Sequence, residues 1–473
     1  MFGYQHEGKK NKKYIGKSKK NQAKALINKI INEVHKEGLV GEEDSILVLA
    51  IKIFLRLVQN ASATSSNILV SDETGSGKDV LVKAVCTTLV PKQKYHHRTD
   101  ISDKAFDYWQ PTITWDKDDE KKPIKDSWDG HVIHLEDPRK EALMGQSFKV
   151  MASGGTHVTK VINNKSKDIE ITGKPVIIVT SLNASVDEEG VRRWDSLRVD
   201  TSDRLTEMVI NNYLKQIAGS GNLEKDHSLR QRIQSLKPAE VVIPFAEKLE
   251  KHIPSYLSMR TRLKRLGDYI KASAVLHQEF RETDEKGRII ATRFDYDYAR
   301  FAFSSLKDFK GLALNVGEEE FIEFLKKQKY PLSIAEVEQR FGKKSKTWIY
   351  EHLDKFVSLG LIKVTYVKDD TNRNIRYIQY SGEQTQNQTL PPSQRLFSSS
   401  NSSVESQHQK DFKTSNIFYD ILKHLDCQRE EMGLPPIFNE YYSHLKESVE
   451  TIKTSEENEF KQESENPVEE PEE

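Results

Sequence analysis

"SDETGSGKDVLVKAV", residues 71–85, follows directly on the apolar "NILVS" (67–71) and decides the fold. A short apolar run, a glycine loop and an apolar stretch at helical spacing make strand, loop and helix in immediate succession. That is the setting in which a phosphate-binding loop, GxxxxGK[ST], works. Gly75 and Gly77 let backbone N–H groups approach an anion, the helix brings its positive N-terminus, and Lys78 reaches outward to charge. Ser76 and Val80 complete the loop. The stretch departs from the pattern twice: Asp72 stands where the first Gly belongs, and Asp79 stands where a Ser or Thr hydroxyl would meet a metal ion.

The residues that follow supply what such a loop requires. "HVIHLEDP" (131–138) reads as a buried strand ending in two acids, Glu136 and Asp137. One carboxylate would hold a cation and the other would activate water, and the residues leave open which is the base. "RKEALMGQSFKVM" (139–151) is helical, and "THVTKVINNKSKDIEIT" (156–172) alternates around a polar tip and reads as a β-hairpin. "KPVIIVTSLN" (174–183) is a second buried strand, ending at Asn183. Beyond it "GVRRWDSLRVDTSDR" carries Arg192 and Arg193, a cation pair suited to a transferring phosphate.

Working outward, the chain divides by composition. Residues 1–20 are a basic, polar arm, and 21–61 hold two helices of which "EEDSILVLAIKIFLRLVQNA" is the more buried. Residues 62–215 form the α/β core, and 216–315 turn helical. Residues 316–381 read as three helices and a two-stranded wing, the second helix opened by the capping box Ser333-x-x-Glu336. From 382 to 473 a Ser- and Gln-rich linker, one short helical segment and an acidic tail close the chain. The expected fold class is α/β: a P-loop core with a parallel sheet and a helical lid, then a winged helix, then a largely disordered tail.

Basic and acidic residues balance at 72 each, so net charge selects no partner. Two cysteines exclude a disulfide framework and a four-Cys zinc site, and they fit a reducing cytosol. No apolar run approaches the roughly 18 residues needed to span a membrane, so no membrane partner is expected and a cytoplasmic location is.

Taken in order, loop, acidic strand, hairpin, Asn183 and arginine pair resemble an AAA+ ATPase of the clade that carries a hairpin before the sensor strand. "RRWDSLRVDTS" is similar to the arginine-finger segment of MCM helicases, and "VIIVTSLN" has the flavour of superfamily 3 helicases. The resemblance implies ATP and Mg2+ as cofactors, with Asp79 and Glu136 on the metal and Asn183 sensing the γ-phosphate. It also implies Arg193, with Arg192, acting on a neighbouring subunit, and a lid arginine, Arg260 or Arg262. A homo-hexameric ring on single-stranded DNA follows from it, with Lys160, Lys165 and Lys167 of the hairpin in the channel. Lys344, Lys346 and Arg373 of the winged helix would meet duplex DNA. The tail would meet a replication partner. The expected function is a DNA helicase in replication of a mobile element, plasmid or virus. The alternatives are an AAA+ transcription regulator, whose loop also carries an acid after Lys, and a nucleotide-binding initiator that does not unwind.

Overall fold

The computed structural model describes residues 22–72, 75–102, 105–109, 113–115, 123–125, 127–154, 157–162, 165–170, 173–181, 194–219, 224–253, 259–306, 316–358, 361–368, 374–380, 390, 393, 396, 417–432, 436 and 438. The chain forms two compact units, one from 1–47, 201–303 and 389–473, the other from 48–200 and 304–388. Two helices, α1 over residues 22–35 and α2 (Glu43–Phe54), open the described chain.

The α/β core is a five-stranded parallel sheet. Its strands are β1 (Ile68–Ser71), β2 (Tyr95–Arg98), β3 (Val132–Glu136), β6 (Val176–Ser181) and β7 (Asp195–Leu197). They lie in the order β2-β3-β6-β1-β7. Residues of β1, β3 and β6 are buried almost without a break, as a sheet covered on both faces demands. Leu69, Ile133, Leu135, Ile177 and Val179 pack with Phe148, Met151, Trp128 and Trp194 on one such face. The chain leaves β1 through α3 (Lys78–Leu89) toward β2 at one edge, and leaves β6 toward β7 at the other. The gap beyond the carboxyl ends of β1 and β6 is thus a topological switch point, the place where open α/β sheets hold ligands.

Between β3 and β6 the expected hairpin is present as β4 (His157–Ile162) and β5 (Lys165–Glu170). The pair Ile162↔Lys165 is the last before the turn, so Lys165 and Lys167 of the polar "NNKSK" (163–167) belong to a strand. Pairing satisfies backbone groups that a wider loop would leave to water. The single helix expected over 139–151 is two, Lys140–Met144 and Gln146–Ala152, broken where Gly145 adopts an extended backbone (ψ 137). Likewise α2 stops at Phe54 and one 3-10 turn, Leu55–Leu57, follows. The chain then turns back far enough for the carbonyls of Ser65 and Asn67 to meet Lys52 Nζ at 2.7 and 3.4 Å. Lys52 is fully buried and forms an ion pair with Asp195 of β7.

The other unit is helical. Its elements include α4 (Asp203–Ile217), α5 (Met259–Leu276) and α6 (Arg293–Ser305). Asp295, fully buried, accepts hydrogen bonds from Arg281 (2.8 and 2.7 Å), Ser273 Oγ (2.7 Å) and Thr292 Oγ1 (2.8 Å). Tyr298 donates to the carbonyl of Leu47 at 2.9 Å.

Residues 316–380 form the winged-helix arrangement: α7 (Val316–Lys326), β8 (Leu332–Ser333), α8 (Ile334–Phe341), α9 (Lys346–Ser358), β9 (Ile362–Lys368) and β10 (Asn374–Tyr380). The strand β8 was not legible and pairs with β10, widening the wing to three strands. The capping box is made in both directions, with Ser333 Oγ accepting from the Glu336 N–H and Glu336 accepting from the Ser333 N–H. Phe321, Val337, Ile349, Phe356 and Ile378 form the core between helices and wing.

The helical segment α10 (Ile417–Glu431) packs within the first unit. Phe418 stacks on Tyr298 at 4.9 Å and Arg429 forms a buried ion pair with Glu43 at 2.6 Å.

Candidate functional site

The loop after β1 has the shape its glycines predict. Gly75 and Gly77 both sit at φ 85, a left-handed conformation open to glycine and costly for a side chain. A Cβ built on either meets nothing within 4 Å, so the loop borders open space. Gly77 is the N-cap of α3, with its carbonyl accepting from the Leu81 N–H at 2.9 Å. The first turn of α3 presents Lys78, which is buried, Asp79, which is half-buried, and Val80, which points outward and is 52% exposed. Ser76 Oγ is buried with no hydrogen-bond partner among the described residues.

Two acids stand opposite. Glu136 ends β3, in register with Thr180 of β6. Its Oε2 accepts from Lys83 Nζ at 2.9 Å and from His97 Nε2 at 2.7 Å. The Lys83 bond, then that from His97, hold the carboxyl below its usual range against the opposing effect of burial and the charge of Asp79. Asp137 follows at φ 43, a left-handed backbone rarely tolerated by a non-glycine residue, held by its N–H donating to the Thr180 carbonyl at 2.8 Å. Such outliers persist where surrounding structure enforces them and cluster at functional sites. The side chain of Asp137 is exposed.

Asp79 does not stand alone. Thr180 Oγ1 donates to its Oδ1, and His134 Nε2 lies 3.7 Å from the same oxygen. Burial pushes the Asp79 carboxyl up, but the contacts with His134 and Thr180 and the charge of Lys78 outweigh it, so the group is held ionised below the usual range. Burial keeps His134 below the ordinary histidine range and therefore neutral near pH 7.

The partners of these acids were missed in the sequence. Strand β2, "YHHR", has no apolar run to mark it as a strand, yet it pairs with β3 and carries His97 to Glu136 and Tyr95 to His134. The signal available was a second His pair, His131 and His134, inside an apolar strand. His96 and His131 stack at 5.1 Å and share a 2.8 Å hydrogen bond, which makes the run of imidazoles compatible with burial.

Asn183, Arg192 and Arg193 lie outside the described residues. Their flanks are placed: Ser181 ends β6, and Trp194 is buried against Phe148 at 6.0 Å, just before Asp195 meets Lys52. Arg260 and Arg262 belong to the helical unit, Arg260 exposed and Arg262 over the Phe303 ring at 5.0 Å. The hairpin pairs Lys160 with Lys167 and Ile162 with Lys165, so 160, 165 and 167 occupy same-face register positions on the ribbon. In the winged helix, Lys346 is within 3.6 Å of Glu338 and Lys343 within 2.9 Å of Glu320, while Lys344 lies over Trp348 at 4.9 Å. Arg373 lies outside the described residues. Arg376, on the wing, lies over the rings of Tyr350 (5.4 Å) and Tyr366 (5.7 Å).

Among the described residues no group of three or more His, Cys, Asp or Glu side chains could enclose a metal ion. Magnesium at a triphosphate needs only one or two carboxylates, with phosphate and water completing its shell. An ionised Asp79 beside the loop and Glu136 at the facing strand end fit that requirement.

Strand, glycine loop and helix at a switch point, faced by an acidic strand end, define the α/β P-loop class. No family model matches the chain, and no curated protein matches it. Among solved structures the chain is similar to a candidate ATPase from Cytophaga hutchinsonii ATCC 33406, over 59% of this chain and 86% of that one, at 13% identity and a TM-score of 0.35. A likeness of that size assigns no family. No helix among the described residues is long and apolar enough to cross a membrane.

Proposed function

We propose that the protein is a magnesium-dependent ATPase of AAA+ type that works as a ring-forming DNA helicase in replication of a mobile element, plasmid or virus. The observation that carries the reading is the open left-handed loop Gly75–Gly77 leading into Lys78, with Asp79 and Glu136 facing it. The loop N–H groups and Lys78 bind the phosphates of ATP. Magnesium, held by Asp79 and Glu136, would neutralise charge between the outer phosphates. Asp137 or Glu136 accepts a proton from the attacking water, Asn183 orients it, and Arg193 of a neighbouring subunit, with Arg192 beside it, meets the transferring phosphate.

DNA contact is the finer part. It is supported by the shared register face of Lys160, Lys165 and Lys167 on the hairpin. On the winged helix, Arg376 lies over exposed Tyr350 and Tyr366 and Lys344 lies over Trp348, basic and aromatic pairings suited to nucleic acid. Self-association is supported by α4, where Val209, Ile210, Tyr213, Leu214 and Ile217 share one exposed face. That stripe carries no charge, so a second copy of the chain can cover it without burying an ion. The acidic tail is assigned to a replication partner.

One observation favours a second reading, an initiator that binds nucleotide without unwinding: Lys83 and His97 both occupy Glu136 Oε2. Strand displacement on a forked duplex with ATP, run beside Lys78→Ala, decides. Hydrolysis and unwinding that both vanish in the variant support the helicase. Nucleotide binding lost in the variant, with no unwinding by either protein, supports the initiator. Equal nucleotide binding by both proteins overturns the site itself.

A further inference from the structure

The oddity of the loop is Asp79, and the structure surrounds it with a connected set of side chains from three neighbouring strands. Tyr95 of β2 lies with its hydroxyl 2.9 Å from His134 Nδ1. His134 Nε2 lies 3.1 Å from Thr180 Oγ1. Thr180 Oγ1 contacts Asp79 Oδ1, with the Leu135 carbonyl as a more distant acceptor at 3.4 Å. His134 and Thr180 are fully buried, so these groups have no recourse to water.

The donors can be assigned without conflict. An ionised carboxylate only accepts, so the Thr180 hydroxyl gives its one hydrogen to Asp79. The Thr180 oxygen then accepts from His134, which fixes the His134 proton on Nε2. His134 Nδ1, left without a proton, accepts from the Tyr95 hydroxyl. Each member donates one bond toward Asp79, and a neutral imidazole satisfies every step. Three torsionally constrained groups in series hold one oxygen of Asp79 in place and leave Oδ2 outside the chain.

We propose that Tyr95, His134 and Thr180 are positioning residues that hold Asp79 by Oδ1 and so aim Oδ2 at the cation, which lets a carboxylate serve where a Ser or Thr hydroxyl is usual. This rests on the nucleotide-binding reading above. The hydrogen-bonded carboxylate has one fixed oxygen to offer a hard cation, and a loose one would have to be ordered at binding.

The test measures binding. A fluorescent ATP analogue is titrated against the full chain at a series of Mg2+ concentrations, and the Mg2+ midpoint for tight binding is recorded along with affinity in EDTA. Thr180→Val is expected to raise the Mg2+ midpoint at least tenfold and leave affinity in EDTA unchanged, because loop and Lys78 set the latter. Thr180→Ser, which keeps the hydroxyl, is expected to stay within threefold of wild type. Asp79→Asn should match Thr180→Val, and the double variant should be no worse than Asp79→Asn alone. If Thr180→Val does not fold, Tyr95→Phe takes its place, with an expected rise of about threefold. A midpoint unchanged in the folded Thr180→Val, or in Tyr95→Phe where that variant stands in, overturns the inference. Lys78→Ala separates the two readings: nucleotide binding equal to wild type in that variant sinks the nucleotide site, whereas binding lost there with an unmoved midpoint in Thr180→Val sinks only the positioning role.

Discussion

Lys52→Met should loosen the far edge of the sheet. Lys52 Nζ, fully buried, donates to the Ser65 carbonyl at 2.7 Å and to the Asn67 carbonyl at 3.4 Å, and pairs with Asp195. Methionine keeps the stem and its packing but removes the charge. Asp195, 7% exposed, is left as a buried anion without its ammonium. Breaking a buried pair from one side costs about 3–5 kcal/mol. At about 1.4 kcal/mol per tenfold, opening of β7 becomes about two to three and a half orders of magnitude more frequent. Hydrogen exchange read on the peptide spanning 194–200 reports that opening directly. Lys52→Met with Asp195→Asn should recover a large part of the loss, since the second change removes the stranded charge. Exchange in Lys52→Met within threefold of wild type would refute the reasoning, and would mean that the pair contributes nothing to holding β7 against β1.

Burial, with the nearby charge of Arg281, lowers His277 to about 4, so it is neutral in the fold and takes a proton when unfolded near its ordinary 6.5. Its contribution is therefore complete above about pH 6.5 and is lost as pH falls toward 4, with about 2 kcal/mol gone by pH 5; urea titrations at pH 7.5 and 5 should show a shallower pH dependence in His277→Phe than in wild type, and parallel curves would contradict it. Gly173→Ala should destabilise the core by about 3 kcal/mol, because the glycine sits at φ +73 and a Cβ would fall 1.9 Å from Ser127 Oγ and 2.7 Å from the Asp129 backbone nitrogen; a thermal midpoint unchanged from wild type is the contrary result. On the proposed reading, Arg376→Ala should weaken duplex DNA binding and reduce the salt slope by about one, measured by anisotropy at several salt concentrations; an unchanged slope, or no binding by wild type, refutes a DNA contact at the wing.

Most of the sheet was legible because its strands are apolar and bounded by clear punctuation. "NILVS" and "KPVIIVTSLN" can be little other than buried strands, and the α/β class follows from their alternation with helices. Strand β2 was hidden because its residues are polar; Tyr95, His96 and His97 are tolerated there through bonds to His134, His131 and Glu136 that no local pattern reveals. Strand β7 is three residues long, and its placement depends on a lysine buried in an apolar helix over a hundred positions earlier. The loop residues Gly75, Gly77 and Lys78 and the acids Glu136 and Asp137 were readable from type and order. The bond from Thr180 to Asp79 was not, since a threonine in a β-branched run looks like any other strand residue. Gly145 splits a helix that periodicity alone would run through.

The route of the chain around the winged helix has its own consequence. Just before it, α6 is anchored in the helical unit, and just after it the chain returns to the same place: Arg293 and Asp297 both bond Ser393, at 2.7 and 2.6 Å, and Arg300 donates to the Leu390 carbonyl at 3.0 Å. Residues 304–388 are in effect an insertion stapled at both necks. Both ends of the insertion therefore meet one patch of helix: a short Gly-Ser bridge from 306 to 389 should leave the returning segment seated on Arg293 and Arg300.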